Sequence, residues 1–135
     1  MLDQTDRKIL EELSGNGRMT MKELGARVHL TGQAAASRVA RLEEEGFISK
    51  YTIEVNQQKL GYSIHAFLYI YTKSISHQPY LAFLDENKKD VVNHYKISGD
   101  GCYLMECRFS GNEELDRFLT GLNKHVNYKL SIVIK

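Results

Sequence analysis

Features that would indicate several other classes of protein are absent or scarce in this chain of 135 residues. It has no Trp, a single Pro and no low-complexity tract, which argues against a disordered chain. No apolar run approaches the roughly 18 residues needed to span a bilayer, and the first residues are acids and amides where a signal peptide needs an apolar stretch. With 42% apolar and 26% charged residues, the composition predicts a globular protein of the cytoplasm with a substantial core.

The cysteines and histidines form no pattern that predicts a disulfide or a metal site. Cys102 and Cys107 lie on one predicted strand, about 16 Å apart, whereas a disulfide requires Cα atoms within roughly 7 Å. The five histidines are scattered, without the spacing of a zinc motif. We therefore expect free thiols, as in a reducing cytoplasm, and neither a metal nor another cofactor.

Positive charge is concentrated in one short stretch, although the net charge of the whole chain is only +1. Between residues 18 and 41, five basic side chains accompany a single acid, Glu23. A local basic patch in a neutral protein is typical of phosphate contact, and an unevenly charged solvated surface explains it about equally well. The five bases are Arg18, Lys22, Arg27, Arg38 and Arg41.

Residues 1–46 predict three short helices and a helix-turn-helix DNA-binding domain. Asp3 is suited to cap the first helix, Thr20–Glu23 forms a capping box for the second, and Thr31 caps a third that stops at Gly46. A second helix of about two turns, a tight link and a longer third helix are typical of this motif.

The third helix has an apolar side and a polar side. Ala35, Val39 and Leu42 share one face at about 100° per residue and can pack on the first two helices. The opposite face offers an amide, a hydroxyl, a guanidinium and a methyl group, which can read base edges and thymine methyls. Every amphipathic helix has a polar outer face, so this feature alone favours recognition only modestly. The predicted base contacts are Gln33, Ala34, Ser37 and Arg41, and the predicted phosphate contacts are Arg18, Lys22, Arg27 and Arg38.

The hydrophobic period changes after Gly46. Ile48–Val55 alternates between apolar and polar residues, which predicts an exposed strand. A polar link follows it, so we assign a linker strand and hinge to residues 47–61 and a ligand-sensing and oligomerisation domain to residues 62–135.

Residues 62–135 predict strand, helix, strand, strand, helix, strand, which is the ferredoxin-like βαββαβ sandwich of an α+β protein. The middle strands form a hairpin around Gly99–Gly101, and Asn112 is expected to cap the second helix. The first strand, Ser63–Thr72, is apolar on both faces, and no other part of the chain is left to cover the second face. We predict that another copy of the chain covers it; tyrosines with wet hydroxyls on an open sheet are the alternative.

Four segments of the chain form a recognisable combination: Leu2-Asp3-x-x-Asp6-x-x-Ile9-Leu10, Leu24-Gly25-Ala26, Arg38-Val39-Ala40-Arg41-Leu42-Glu43-Glu44-Glu45-Gly46-Phe47-Ile48 and Leu60-Gly61. Together they resemble the Lrp/AsnC, or feast/famine, family of transcriptional regulators. The resemblance covers essentially the whole chain and implies an N-terminal winged helix-turn-helix and a C-terminal ligand-sensing domain. It also implies dimers that often assemble into octamers, a linker strand that pairs with its copy, and regulation by amino acids or related metabolites.

The effector-loop motif of that family is Gly-Asp-x-Asp-Tyr, and Gly99-Asp100-Gly101-Cys102-Tyr103 occupies its place here. Cys102 replaces the second Asp, and a neutral thiol cannot give an ammonium group a charge-assisted hydrogen bond. The effector then differs from a free amino acid, is held elsewhere, or does not exist. A plain hairpin turn explains the two glycines at least as well as a ligand pocket does.

These features together predict a sequence-specific DNA-binding regulator, not an enzyme, whose partners are double-stranded DNA, further copies of itself and a small effector, with no membrane. A dimer would place two recognition helices in major grooves about 34 Å apart. One alternative is an enzyme resembling the siroheme decarboxylases on the same architecture, with His65, His94 and Arg108 as substrate contacts. The other is an accessory subunit without DNA binding, which the run Ala34–Ala36 permits.

Overall fold

The computed structural model describes all 135 residues and divides the chain into two compact units, Met1–Glu54 and Val55–Lys135. The first unit consists of α1 (Gln4–Gly15), α2 (Met21–Val28) and α3 (Gly32–Glu44). None of the helices in the chain combines the length and the apolar character needed to cross a membrane.

The three helices of the first unit begin at the predicted caps. The Asp3 carboxylate accepts from the backbone N–H of Asp6 at 2.7 Å, and the hydroxyls of Thr20 and Thr31 each accept from the N–H three residues later at 3.1 Å. Gly46, with φ of 81°, follows the end of α3 in the left-handed region that glycine adopts without strain.

The core of the first unit lies where the three helices meet. The predicted inner face of α3 is confirmed, because Ala35 and Leu42 have no exposed surface and Val39 is buried beside them. This packing leaves the opposite side of α3 exposed. The other buried apolar side chains of this core are Ile9, Met19, Leu24 and Val28.

The strand predicted over Ile48–Val55 is wrong for the single chain. Residues 49–56 contain neither helix nor strand, and the apolar members of the alternation are exposed, with Ile53 79% accessible. A strand needs a neighbouring strand to bond its backbone groups, and none of the strands of the chain pairs with this segment. The alternation therefore marks a segment able to pair, without a partner in its own chain.

The second unit has the predicted βαββαβ order. Its four strands form one antiparallel sheet in the order β2-β3-β1-β4, with β1 central and bonded to β3 and β4. The elements are β1 (Ile64–Thr72), α4 (Gln78–Glu86), a short 3-10 turn (Lys88–Asp90), β2 (Val91–Lys96), β3 (Tyr103–Phe109), α5 (Asn112–Leu122) and β4 (Val126–Ile132).

The start of α5 differs from the sequence prediction. Gly111, not Asn112, is the N-cap of α5, because Asn112 already has helical geometry and its side chain makes no capping bond. The last strand, β4, begins at Val126, because its pairing with β1 starts there, opposite Thr72.

The two faces of the sheet have different surroundings. Ala66, Leu68 and Ile70 of β1 have no exposed surface and pack with α4 and α5 in one core. The intervening Phe67, Tyr69 and Tyr71 face the other side and remain partly exposed. The helices therefore cover one face only, as predicted.

Candidate nucleic-acid interface

The exposed face of α3 carries the predicted base contacts at its N-terminal end. Thr31 fixes the first turn by capping it, and the buried Ala35 and Leu42 set the rotation of the helix about its axis. Gln33 and Ser37, one turn apart, are exposed as a result, with Ala34 partly exposed beside them. The small side chain of Ala34 leaves room for close approach of a groove floor.

Three predicted phosphate contacts are exposed on α2 and in the turn before it. Arg18 lies in the α1–α2 turn and Lys22 in the first turn of α2, and neither has a carboxylate within 4.0 Å. Arg27 lies in the last turn of α2, and its Nη1 is 3.5 Å from Glu12 Oε2. Lys22 and Arg18 therefore keep their full charge available to an anionic partner.

Arg38 and Arg41 are placed differently, because both are paired with acids of α1. Arg38 Nη1 donates to Asp3 Oδ2 at 2.7 Å and to Asp6 Oδ1 at 3.1 Å. Arg41 Nη2 donates to Asp6 Oδ2 at 2.6 Å. The guanidinium predicted to face bases is thus bound to a carboxylate of its own chain.

Asp6 is the residue of this site that the sequence interpretation missed. An acid in the opening turn of a helix ordinarily interacts with the helix dipole from solvent, whereas Asp6 is the one buried charged side chain of the protein. A signal existed in the spacing: Asp3, the N-cap of α1, and Asp6 are three residues apart, as are Arg38 and Arg41 on α3. The hydrogen bond from Arg38 lowers the pKa of Asp3 to about 2.

The predicted effector loop joins β2 to β3 in the second unit. Gly99 and Gly101 have φ of 115° and 92°, values that favour glycine. The Tyr71 hydroxyl donates to Asp100 Oδ1 at 2.6 Å, and Lys129 Nζ lies 3.5 Å from Asp100 Oδ2. The Tyr71 bond is the main reason that the pKa of Asp100 lies below its usual value.

Cys102 and Tyr103, the last two residues of the motif, are bonded to other parts of the second unit. Cys102 Sγ lies 3.4 Å from Thr72 Oγ1, and this bond lowers the pKa of the thiol. Tyr103 is buried, and its hydroxyl shares a hydrogen bond of 2.8 Å with His77 Nδ1. Asp100 is accordingly the one exposed acid that the motif retains.

The residues of the alternative enzymatic interpretation do not meet at one site. His65 is bonded to Glu106 and lies opposite Arg108 on the open face of the sheet. His94 is bonded to Tyr80 of α4 at 2.7 Å, on the face that the helices cover. The sheet separates the two histidines, so no shared substrate contact follows from them.

The chain is similar to known DNA-binding proteins in its first unit and to known transcriptional regulators over its whole length. The family described as winged helix-turn-helix DNA-binding matches residues 2–49. The HTH-type transcriptional regulator LrpA of Bacillus subtilis (strain 168) is 62% identical over 134 residues, which are 99% of this chain and 98% of that protein. The HTH-type transcriptional regulator FL11 of Pyrococcus furiosus is 33% identical over 88% of this chain and 78% of its own length.

Solved structures agree over the whole chain. B. subtilis LrpC superposes with a TM-score of 0.90 at 27% identity, covering 100% of this chain and 96% of that one. The L-Met complex of a transcriptional regulator from Neisseria meningitidis gives a TM-score of 0.90 at 25% identity, covering 100% and 91%. Residues of the first unit thus define a winged helix-turn-helix protein. The chain belongs to the Lrp/AsnC family of transcriptional regulators, which confirms the resemblance and the fold class.

Proposed function

We propose that this regulator acts in the cytoplasm by binding double-stranded DNA through the exposed face of α3. One observation carries the proposal: Gln33 and Ser37 are exposed on a capped helix. In the same unit, Arg18 in the α1–α2 turn and Lys22 on α2 are exposed cations without an acidic partner. Gln33, Ala34 and Ser37 contact base edges, while Arg18, Lys22 and Arg27 hold phosphates and set the register.

The proposal includes assembly into a homodimer, with octamers as the larger form. One recognition helix with a few phosphate contacts binds weakly, whereas tethered copies add their affinities. The aromatic face formed by Phe67, Tyr69 and Tyr71 is the surface on which a second copy would pack. The alternating segment Ile48–Val55 would gain the strand partner that it lacks in the single chain.

We also propose that an amino acid or a related small metabolite modulates DNA binding from the second unit. The N. meningitidis relative was solved with L-Met. In this chain, residues 99–103 occupy the place of the family's effector-loop motif. Asp100 is the acid left to meet an ammonium group, although Tyr71 and Lys129 already engage it. A ligand would shift the affinity for DNA only as far as its own affinity differs between the DNA-bound and the DNA-free form of the regulator.

A catalytic role and an accessory role are the alternatives that the proposal rejects. The enzymatic interpretation lacks a common site for His65, His94 and Arg108, and the relatives are named as regulators. An accessory subunit would need a degraded recognition face, whereas Gln33 and Ser37 are exposed beside Ala34.

Selection of bound fragments from random DNA by the purified protein tests the proposal. We expect enrichment of a rough palindrome whose half-sites lie about one helical turn apart, and a change in enrichment when amino acids, L-Met among them, are added. Ser37→Glu should abolish enrichment, because it directs a carboxylate at the DNA. Ser110→Glu, an equal change in the exposed loop before α5, is the control. Wild-type protein that enriches nothing above background would overturn the proposal.

A further inference from the structure

The carboxylate of Asp6 is buried, and both of its oxygens accept hydrogen bonds. Its Oδ1 accepts from Arg38 Nη1 at 3.1 Å, and its Oδ2 accepts from Arg41 Nη2 at 2.6 Å and from the backbone N–H of Asp3 at 3.3 Å. Asp6 has no exposed surface. A carboxylate removed from water is tolerated only when cations and hydrogen bonds compensate for its lost hydration.

Both compensating cations come from the helix that is proposed to enter the DNA groove. Arg38 and Arg41 lie three residues apart on α3, and Asp6 lies in the first turn of α1. Two bonds from successive turns of α3 to one fixed carboxylate restrain both the rotation and the sliding of that helix. The buried Ala35 and Leu42 turn one side of the helix inward, and the directional bonds to Asp6 add a finer restraint, because apolar contacts have no preferred direction of their own.

Arg41 would have to give up this bond to reach a base. Its guanidinium has Asp6 Oδ2 at 2.6 Å and Glu45 Oε2 at 3.9 Å from Nε, so two acids hold it on the flank of α3. Withdrawing it would leave the buried Asp6 with Arg38 as its single cation. Gln33 and Ser37 have no such partner and are free to reorient.

We infer that Asp6 is a positioning residue for DNA recognition, and that Arg41 anchors α3 to α1 instead of reading bases. The inference rests on the proposed function and deepens it: sequence is read by Gln33, Ala34 and Ser37 alone. This assignment replaces the expectation, drawn from the helical wheel, that Arg41 faces bases.

The cluster also affects the affinity for DNA in general. Two guanidinium groups face the carboxylates of Asp3 and Asp6, so their charges cancel. Phosphate attraction then comes from Arg18, Lys22 and Arg27. Replacing Asp6 by Asn would remove the negative charge that both arginines face. The unit would then carry one more net positive charge and attract DNA of any sequence more strongly.

Two variants and one control test the inference, measured below their unfolding midpoints on the selected sequence and on random DNA. Asp6→Asn should bind random DNA several-fold more tightly, steepen the slope of log affinity against log salt by about 1 per subunit, and discriminate less. Arg41→Gln should weaken discrimination evenly across all positions of the half-site. Glu11→Gln, which removes an exposed carboxylate of α1 that faces only Lys8, should change neither.

Two outcomes would overturn the inference. One is loss of preference at a single base pair in Arg41→Gln with the other positions unchanged, which is the signature of direct base contact. The other is a folded Asp6→Asn with wild-type salt slope and discrimination. If Asp6→Asn does not fold, the positional profile of Arg41→Gln decides. Wild-type protein that selects no sequence removes the proposed function itself, a failure visible before any variant is compared.

Discussion

The backbone N–H of Leu30 donates to the carbonyl oxygen of Gly25 at 2.8 Å, and this bond closes the turn between α2 and α3. A Cβ at Gly25 would lie 2.6 Å from the Leu30 carbonyl oxygen and 2.9 Å from the carbonyl carbon of Thr31. These neighbours are main-chain atoms, so they cannot move aside without displacing the cap of α3. The close approach of the two helices therefore requires glycine at this position.

Gly25→Ala should destabilise the helix-turn-helix unit by about 1–3 kcal/mol, because the added methyl overpacks a backbone contact. Thermal unfolding followed by circular dichroism measures the change. Gly15→Ala is the matched control: its Cβ meets nothing within 4 Å in the last turn of α1, so we expect no loss, or a gain of up to about 1 kcal/mol. Equal unfolding midpoints for the two variants would contradict the close approach.

Asp3 should make the first unit sensitive to acid. The hydrogen bond from Arg38 lowers the pKa of Asp3 from 3.8 to about 2 in the folded chain. A depressed pKa contributes stability that is present above the unfolded value and is lost as the pH falls through the folded value. The unfolding midpoint of the wild type should therefore fall more steeply between pH 4 and pH 2 than that of Asp3→Asn.

Asparagine keeps the capping acceptor at this position, so Asp3→Asn isolates the charge from the cap. Asp85→Asn, which removes an exposed aspartate of the second unit, serves as the control and should follow the wild-type pH profile. Parallel profiles for Asp3→Asn and the wild type would show that the Arg38 bond does not hold in solution.

The sequence predicted those parts of the fold that depend on neighbours along the chain. Thr20 and Thr31 mark helix starts because a hydroxyl caps an N–H only three residues away. The helical period of the apolar residues predicts the inner face of α3. The alternation of side chains along β1, together with a helix layer on one side only, predicts its covered and open faces. Each of these rules needs no knowledge of the tertiary structure.

The parts that the sequence did not predict depend on contacts between distant segments or on the absence of a partner. The Asp6–Arg41 bond joins residues 35 positions apart, and an acid in a first turn ordinarily interacts with the helix dipole in solvent. The alternation of Ile48–Val55 is a property of the segment, while strand formation also requires a second strand. The cap at Gly111 differed because Asn112, although a good capping residue, lies inside the helix.

The two thiols should react at very different rates. The bond to Thr72 lowers the pKa of Cys102, whereas burial raises the pKa of Cys107 to about 12. A chromogenic aromatic disulfide should therefore label one thiol per native chain rapidly and the second only after denaturation. Thr72→Val should slow the fast reaction, because it removes the hydroxyl that stabilises the thiolate.

Cys102→Ser is the control for that labelling and should abolish the rapid reaction of the native protein while leaving the labelling of Cys107 after denaturation. Rapid labelling of both thiols in the native protein would contradict the burial of Cys107. Labelling of neither would contradict the accessibility of Cys102.

Tyr69→Glu should break the proposed homodimer. Tyr69 lies at the centre of the open face, opposite Leu104 of β3 and Lys129 of β4. An ionised carboxylate buried there against a second copy loses its hydration, so the association should weaken by at least about 100-fold. Sedimentation equilibrium measures the effect, with the fully exposed Ile75→Glu in the loop after β1 as the control. A wild type that remains monomeric at micromolar concentration would refute the dimer.

Lys22 and Gln33 should have separable effects on DNA binding. Lys22 has no carboxylate within 4.0 Å, so Lys22→Ala should weaken binding to every sequence alike and reduce the salt slope by about 1 per subunit. Gln33→Ala should instead cost about 1–3 kcal/mol at one base-pair position and leave the salt slope unchanged, because an amide contact releases no counterions. Titrations on the selected sequence and its single-base variants over a range of salt concentrations separate the two roles. Lys88→Ala removes the same charge from the second unit and should match the wild type. The same loss on all sequences from both Lys22→Ala and Gln33→Ala would refute the division between phosphate and base contacts.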